Sequence, residues 1–194
     1  MSKIDQKYLN QLKKNLHDYH EKRIEIIQAS NNALHHAKRV IFALHRDEFK
    51  EAEEKLVLVE KMLGAMRKKY KADLHIFDEG AFKAANEEYV EARLFYNFLK
   101  IGKIGKIIQV EMNGEVYLAG LCDVPGELYR YAIKCATNHD LKKIKECNDL
   151  AQDILGALIE FNLTSYLRNK FDQAKQAVHK LEIVVYELSL RNKE

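Results

Sequence analysis

Four acidic side chains stand at helical spacing in two separate segments of the chain. Glu88 and Glu91 lie three residues apart in EEYVEARLFYNFL, and Asp123 and Glu127 lie four residues apart in CDVPGELYR. Residues three or four apart share one face of an α-helix, so each segment can present two carboxylates in one direction. Four oxygen ligands suit Mg²⁺ or Mn²⁺ rather than zinc, and such ions activate water and stabilise charge on a phosphodiester.

Each acidic pair also has an interpretation without a metal. Glu88 borders the apolar stripe of its helix and Glu91 lies one turn further round, whereas Glu87 points away from the stripe. A carboxylate at such a margin costs free energy unless a cation, a metal or a hydrogen-bond donor meets it. The alternative is a surface pair that the helix tolerates. Asp123 and Glu127 fall opposite the apolar residues of their segment, which also fits a solvated acidic face.

Two further details bear on these acids. Pro125 lies between Asp123 and Glu127, where it either bends a helix or occupies a first turn that Asp123 caps. A di-iron helical bundle is the chemical rival of a magnesium site, but it uses Glu-x-x-His on two helices. No glutamate in this sequence has a histidine three residues later.

The segment ALHHAKRVIFALHR, residues 33–46, indicates a second kind of chemistry. Helical spacing puts four of its residues on one stripe and two arginines beside it: His35, Lys38, Phe42 and His45, with Arg39 and Arg46. Cations interleaved with an aromatic ring suit a phosphate backbone and a stacked base. In the alternative interpretation, Phe42 joins the core of an amphipathic helix and the cations are solvated.

The elements that must position these residues are helices. The 194 residues include one proline and eight glycines, and apolar residues recur at three and four. We predict an all-α, single-domain bundle over residues 1–194, with six or seven helices and a long first and last helix. The predicted spans are Ile4 to Leu44, Asp47 to Tyr70, Asp78 to Leu99, 117–138, 141–160 and 164–191. Around Asn113-Gly114, glycines and β-branched residues predict a short hairpin or ordered loop near 103–118.

Composition narrows the class of protein. Lys and Arg number 32 against 29 Asp and Glu, but residues 1–46 hold nine against four and residues 47–91 hold eight against twelve. Three cysteines without C-x-x-C spacing argue against a disulfide framework and against a zinc site. No apolar run is as long as a membrane span, and no Gly-rich phosphate loop occurs. These features predict a soluble, cytoplasmic protein that is not a P-loop nucleotide hydrolase.

Four segments, taken in order, resemble one known family. They are KRVIFALHR, EYVEARLFYNFL, YLAGLCDVPGELYRYAI and LRNKFDQAKQAVHKLEIVVYELSLRN. In that order they are similar to the translin family, and specifically to its Trax branch, from about Glu21 to Asn192. Residues 102–116 are much shorter than the corresponding loop of the eukaryotic members. The chain therefore looks like the prokaryotic homologues, which are expected to self-assemble without a separate translin partner.

The resemblance implies an all-helical fold, a closed and roughly octameric shell, and a Mg²⁺-dependent endoribonuclease in the Trax-type subunits. Glu88 and Glu91 match the glutamates of that branch's E-Y-V-E-A segment. Asp123 and Glu127 match its D-x-x-G-E segment, and Lys38 matches the lysine of its K-R-x-I-F-x-L-H-R segment. By resemblance, the four acids hold Mg²⁺, with Mn²⁺ as a substitute, and Glu88, Glu91, Asp123 and Lys38 take part in catalysis.

The expected function is metal-dependent cleavage of single-stranded RNA inside a homo-oligomeric shell, with nucleic-acid contacts from the basic segment and from one arginine of the second acidic segment. The residues expected to contact nucleic acid are His35, Lys38, Arg39, His45, Arg46 and Arg130. Pro125 departs from the small residues that the better-known members have at this position, and this departure concerns the local helix geometry rather than the metal ligands. Two alternatives stay open: a translin-like shell that binds single-stranded RNA or DNA without turnover, and a purely structural helical scaffold.

Overall fold

The computed structural model describes residues 4–191. Its helices are α1 (Gln6–His45), α2 (Phe49–Lys69), α3 (Gly80–Ile101), α4 (Gly114–Thr137), α5 (Leu141–Ile159) and α6 (Ser165–Arg191), with a 3₁₀ helix at Leu74–Asp78 before α3. These six α-helices, without any strand in the described range, confirm the all-α prediction and the long first and last helices. The ends of the predicted domain, residues 1–3 and 192–194, lie outside the described residues.

Local sequence explains where α1 and α5 begin. The Asp5 carboxylate accepts a hydrogen bond from the Tyr8 backbone N–H at 3.0 Å, and Asp140 accepts one from the Lys143 N–H at 3.0 Å. Such caps satisfy N–H groups that the first helical turn leaves without a partner. The 40 residues of α1 make it about 60 Å long at 1.5 Å per residue.

The segment between α3 and α4 is a loop. Gly102 ends α3 in the left-handed conformation at φ 72°, which glycine adopts without a steric penalty. The Asn113 side chain accepts a hydrogen bond from the Val116 N–H at 2.9 Å and caps α4. The hairpin interpretation of Asn113-Gly114 is therefore wrong, because asparagine is also a strong N-cap residue. Residues 114–118 belong to α4 rather than to the loop.

Two layers of helices meet where α3 contacts α4. In one layer α1 packs on α2 and α3, in the other α4 packs on α5 and α6, and α3 and α4 pack on each other. Large side chains are fully buried on both sides of this contact, including Tyr89 and Phe95 of α3 and Leu128 of α4. Side chains on the facing sides of α3 and α4 are therefore held near the centre of the molecule.

Gly120 sets the distance between α3 and α4. A Cβ atom at this position would lie 2.6 Å from the Glu87 carbonyl oxygen and 2.6 Å from Val90 Cβ. Separations below 3.0 Å do not occur without a shift of the neighbours, and one of these neighbours is backbone. The two helices approach this closely because residue 120 has no side chain.

Pro125 lies inside α4 and is buried. The interpretation in which Pro125 occupies a first turn capped by Asp123 is wrong, since α4 begins at Gly114. Proline lacks the N–H that would bond to the carbonyl four residues earlier. Asp123 and Glu127 nevertheless lie on the same continuous helix.

None of the helices within residues 4–191 is both long enough and apolar enough to cross a membrane.

Candidate active site

Four carboxylates lie near one another where α3 faces α4. Glu88 and Glu91 belong to α3, and Asp123 and Glu127 belong to α4. Glu91 is 9% exposed, and the other three are half-buried. Burial raises the pKa of Glu88, and the negative charges of Asp123 and Glu127 raise it further, although Lys38 opposes them. We call these four residues the acidic cluster.

Glu91 is in the least favourable environment of the four. Burial raises its pKa well above the ordinary value, and the charges of Asp123, Glu88 and Glu127 add to the effect. Within residues 4–191, no hydrogen bond or ion pair reaches the carboxylate of Glu88 or of Glu91. A buried carboxylate that lacks a partner is costly in its charged form, so Glu91 requires either a cation or a proton.

Lys170 of α6 is a cation that contacts the acidic cluster at Asp123. Its Nζ atom donates a hydrogen bond to Asp123 and lies 3.3 Å from Glu87 Oε2, which also accepts a 2.7 Å hydrogen bond from Tyr166. Burial lowers the pKa of Lys170, but the hydrogen bond and charge of Asp123 outweigh it, so that this pKa is raised. Glu87, which points away from the apolar stripe of α3, still belongs to the site because α6 packs there.

Replacing Lys170 by methionine is expected to destabilise the metal-free protein by about 1–3 kcal/mol, the usual cost of leaving a partly buried charged group without its partner. Urea unfolding at pH 7 measures this loss. Lys175→Met on the exposed face of the same helix is the matched control and should change little. The double variant Lys170→Met with Asp123→Asn should recover part of the loss. Equal stability of Lys170→Met and Lys175→Met would contradict the assignment.

His45 faces the acidic cluster from α1. Its Nε2 atom contacts Glu127 Oε2, and its ring lies 5.2 Å from the Phe95 ring and 6.1 Å from the Tyr131 ring, between centroids. Arg130 Nη1 approaches the same Glu127 carboxylate at 3.5 Å. The structure thus places two residues that we expected to contact nucleic acid on a carboxylate of the cluster. The His45 side chain is only 10% exposed.

The remaining residues of the basic segment form an outer surface beside the cluster. His35, Lys38 and Arg39 are exposed, and Arg39 Nη2 lies 3.8 Å from Glu51 Oε1. Phe42 is 55% exposed, so the interpretation that places its ring in the core is wrong. The Arg46 guanidinium lies 5.6 Å above that ring. An exposed aromatic ring flanked by cations is therefore available to a ligand.

The chemistry of the cluster fits a hard divalent ion. Its metal-binding atoms are all carboxylate oxygens, and no hydrogen bond or ion pair in the described chain reaches those of Glu88 and Glu91. As placed, no three Asp, Glu, His or Cys side chains among residues 4–191 are grouped as metal ligands. Lys170 holds Asp123, and His45 contacts Glu127. An ion would therefore compete with Lys170 and His45 for the carboxylates of α4.

Sequence reasoning missed Lys170 and Tyr166. They lie one turn apart in α6, a spacing that any amphipathic helix contains. Their role depends on the packing of α6 against α4, which brings Lys170 to a residue 47 positions earlier in the chain. No local signal in the sequence distinguishes Lys170 from the exposed lysines of the same helix.

The family of the chain follows from a comparison of its sequence with family models. The model of the translin family matches residues 21–192. The chain belongs to the translin family. The matched range includes the whole acidic cluster, Lys38 and Lys170. No curated protein sequence matches this translin-family chain at a significant level.

Solved structures have the same fold as this translin-family chain. The crystal structure of AfC3PO aligns with a TM-score of 0.87 at 24% identity and covers 96% of this chain and 100% of that chain. The structure of the AfC3PO–duplex RNA complex aligns with a TM-score of 0.84 at 24% identity, covering 95% and 97%. Apo-NeC3PO aligns with a TM-score of 0.83 at 21% identity, covering 96% and 98%. Because these sequence identities are 24% or lower, the structural similarity establishes the fold of the chain and not its activity.

Proposed function

We propose that this translin-family protein is a Mg²⁺-dependent endoribonuclease that cleaves single-stranded RNA. The observation that carries the proposal is the acidic cluster, in which Glu91 is 9% exposed and lacks a hydrogen bond or ion pair within residues 4–191. Burying a carboxylate beside three others costs free energy, and a cation bound among them would offset this cost.

In this proposal Glu88, Glu91, Asp123 and Glu127 hold the ion, and Mn²⁺ can replace Mg²⁺. A bound ion of this kind lowers the pKa of a water molecule and offsets charge on a phosphodiester. Lys38 is exposed beside Glu88, where its ammonium group can neutralise a phosphate oxygen of the scissile linkage.

Strand guidance comes from the outer surface of α1. His35, Arg39 and Arg46 supply phosphate contacts, and the exposed ring of Phe42 offers a stacking surface for a base. Arg130 extends this surface from α4. His45 acts from inside the site, where it orients Glu127 through the contact between their side chains.

The proposal extends to partners and assembly. The solved AfC3PO complex contains duplex RNA, which supports an RNA ligand for this chain, and single-stranded DNA is a second candidate. We place the chain in the Trax-like branch, among its prokaryotic homologues. We also propose that copies of the chain assemble into an octamer-like shell. A cytoplasmic location agrees with three cysteines that are all unpaired.

Cleavage of a fluorescently labelled single-stranded RNA tests the proposal. We expect products with Mg²⁺ or Mn²⁺ and none with a chelator. Glu88→Gln and Asp123→Asn should each lower the rate about 100-fold or more, because metal-ion catalysis contributes several kcal/mol to a barrier. Glu54→Gln, an exposed acid outside the cluster, is the control. Duplex RNA and single-stranded DNA belong in the same assay, and cleavage that survives both cluster substitutions in folded protein would refute the proposal.

A second candidate function is RNA binding without turnover. It is favoured by the contacts of Asp123 with Lys170 and of Glu127 with His45, which occupy the carboxylates of α4. This function predicts salt-sensitive RNA binding and no cleavage with either ion. The assay above separates the two functions, because only the nuclease depends on the ion for a chemical product.

A further inference from the structure

A cavity of about 250 Å³ lies on the other side of α3 from the acidic cluster. Its walls come from the end of α2, the 3₁₀ helix, the first turns of α3 and the start of α4. They include Arg67, Phe77, Phe82, Lys83, Asn86 and Asn113. The proposed nuclease uses none of these residues.

Arg67 is a cation that forms no ion pair with any side chain of the described residues. Its guanidinium carbon lies 5.5 Å from the centre of the Phe77 ring and 5.3 Å from that of Phe82. Among residues 4–191 no hydrogen bond or ion pair reaches it, and its Nε atom is buried without an acceptor. Burial lowers the pKa of Arg67, although the charge of Glu111 partly offsets this effect. A guanidinium held between two rings is preorganised for a planar contact with an oxyanion.

Asn86 is a second polar group at this cavity whose bonding is incomplete. It is 1% exposed, and its Nδ2 atom donates to the Phe82 carbonyl oxygen at 2.7 Å. That bond fixes the orientation of the amide and leaves Oδ1 without a hydrogen-bond partner in the described part of the chain. Buried polar atoms are nearly always paired, so an unpaired one at a cavity wall indicates a ligand or water that belongs there.

A larger cavity of about 530 Å³ adjoins the first, and both are lined by Lys83, Asn113 and Val116. Gly80, Asn113 and Ser165 in its wall mark the starts of α3, α4 and α6. Three helix N-termini therefore surround it, and each carries partial positive charge. Its volume lies in the range typical of small-molecule sites.

The charged side chains around the two cavities indicate which class of ligand could bind there. Lys83 Nζ lies 3.5 Å from Asp78 Oδ1, so Arg67 is the cation whose charge is least compensated. Glu111 of the loop before α4 is exposed and lines the smaller cavity. The larger cavity contains Glu87 and Glu115, whose carboxylates accept hydrogen bonds from hydroxyl or amino groups. The site thus combines an anion-binding end with an end that accepts hydrogen bonds.

We propose that these adjoining cavities bind a nucleotide with a terminal phosphate, with the phosphate against Arg67 and Lys83 and the nucleoside in the larger cavity. The sugar hydroxyls and base amino groups of a nucleotide can donate hydrogen bonds to the carboxylates of Glu87 and Glu115. A free nucleoside monophosphate and the phosphorylated end of an RNA strand both present this chemistry. The phosphate-binding end uses residues that the proposed nuclease does not, whereas the larger cavity borders Glu87, which contacts Lys170 at the edge of the acidic cluster.

Calorimetric titration of the purified chain with AMP, adenosine and inorganic phosphate tests the site. AMP should bind at least about tenfold more tightly than adenosine, as expected for a charge-assisted contact to phosphate. Arg67→Gln should weaken AMP binding about tenfold or more, and Glu111→Gln should strengthen it. Lys68→Gln is the matched control, since Lys68 is the exposed neighbour in the same helix turn, and it should bind AMP as the unmodified chain does.

Circular dichroism shows whether each variant is folded, and Lys83→Gln replaces Arg67→Gln if the latter unfolds. Equal affinity for AMP and adenosine, or AMP binding unchanged in folded Arg67→Gln or Lys83→Gln, would overturn the proposal. Oligoribonucleotides with a 5′-phosphate or a 5′-hydroxyl distinguish the two sources. A preference for the phosphorylated strand identifies an RNA end, and AMP binding without that preference identifies a free nucleotide.

Discussion

Replacing Glu91 by glutamine is expected to stabilise the metal-free protein at pH 7 and to abolish RNA cleavage. Burial and the neighbouring acids raise the pKa of Glu91 in the folded state. A raised carboxyl pKa favours folding below the unfolded pKa, and this contribution is lost as the pH rises through the folded pKa. At pH 7, which is above the ordinary pKa of a glutamate, folding of the metal-free protein therefore forces Glu91 either to keep a costly charge or to take up a proton, and glutamine removes this cost with little change in shape.

Thermal unfolding at pH 7 and pH 5 measures the stability effect of Glu91→Gln. Each pKa unit corresponds to about 1.4 kcal/mol, and each kcal/mol raises the Tm of a chain of this size by about 2–4 °C. The advantage of the variant should shrink toward pH 5, because the cost of the raised pKa disappears as the pH falls to the ordinary pKa of a glutamate in the unfolded chain. Glu54→Gln should change neither Tm nor cleavage. A Glu91→Gln variant that is less stable than the unmodified protein at pH 7 would show that the carboxylate has a stabilising partner.

Replacing Gly120 by alanine is expected to destabilise the protein by about 1–3 kcal/mol, the usual cost of overpacking a core. The added methyl group would lie 2.6 Å from the backbone oxygen of Glu87, so α3 and α4 would have to separate. RNA cleavage should fall as well, because the same separation moves Glu88 and Glu91 away from Asp123 and Glu127.

Gly126→Ala is the matched control for Gly120→Ala. It lies in the same helix, and apart from its chain neighbours and the nearby backbone of α4 no atom of the described residues lies within 4 Å of its added Cβ. The substitution should stabilise α4 by up to about 1 kcal/mol, the helix propensity difference between the two residues. Chemical denaturation of both variants gives the comparison. If Gly120→Ala were as stable as Gly126→Ala, the closeness of α3 and α4 would not be what residue 120 controls.

Much of the fold was predictable because it rests on local rules. The spacing of apolar residues and the scarcity of glycine and proline placed six helices within four residues of their observed ends. Asn113-Gly114 was misassigned because the same dipeptide starts a helix or turns a hairpin. The choice depends on Ile107 and Val110, which are buried and anchor the preceding segment as a loop against the bundle.

The acids of the candidate site were predictable, but their surroundings were not. Helical spacing and resemblance singled out Glu88, Glu91, Asp123 and Glu127. Lys170, which is bound to Asp123, comes from a helix whose packing no local pattern specifies. The contact of His45 with Glu127 likewise joins residues 82 positions apart. Such pairings arise from tertiary packing, which a single sequence does not display.

Lys170 gives the carboxylate of Asp123 a counterion that does not depend on a bound metal. Domains whose ligands meet only around an ion unfold when a chelator removes it. Here Asp123 already has the Lys170 ammonium as an internal counterion, so we expect the folding of the chain and the loading of the proposed ion to be separate events. If so, the protein can be stripped of the proposed ion with a chelator and reloaded without refolding, so that one preparation can be compared across several ions.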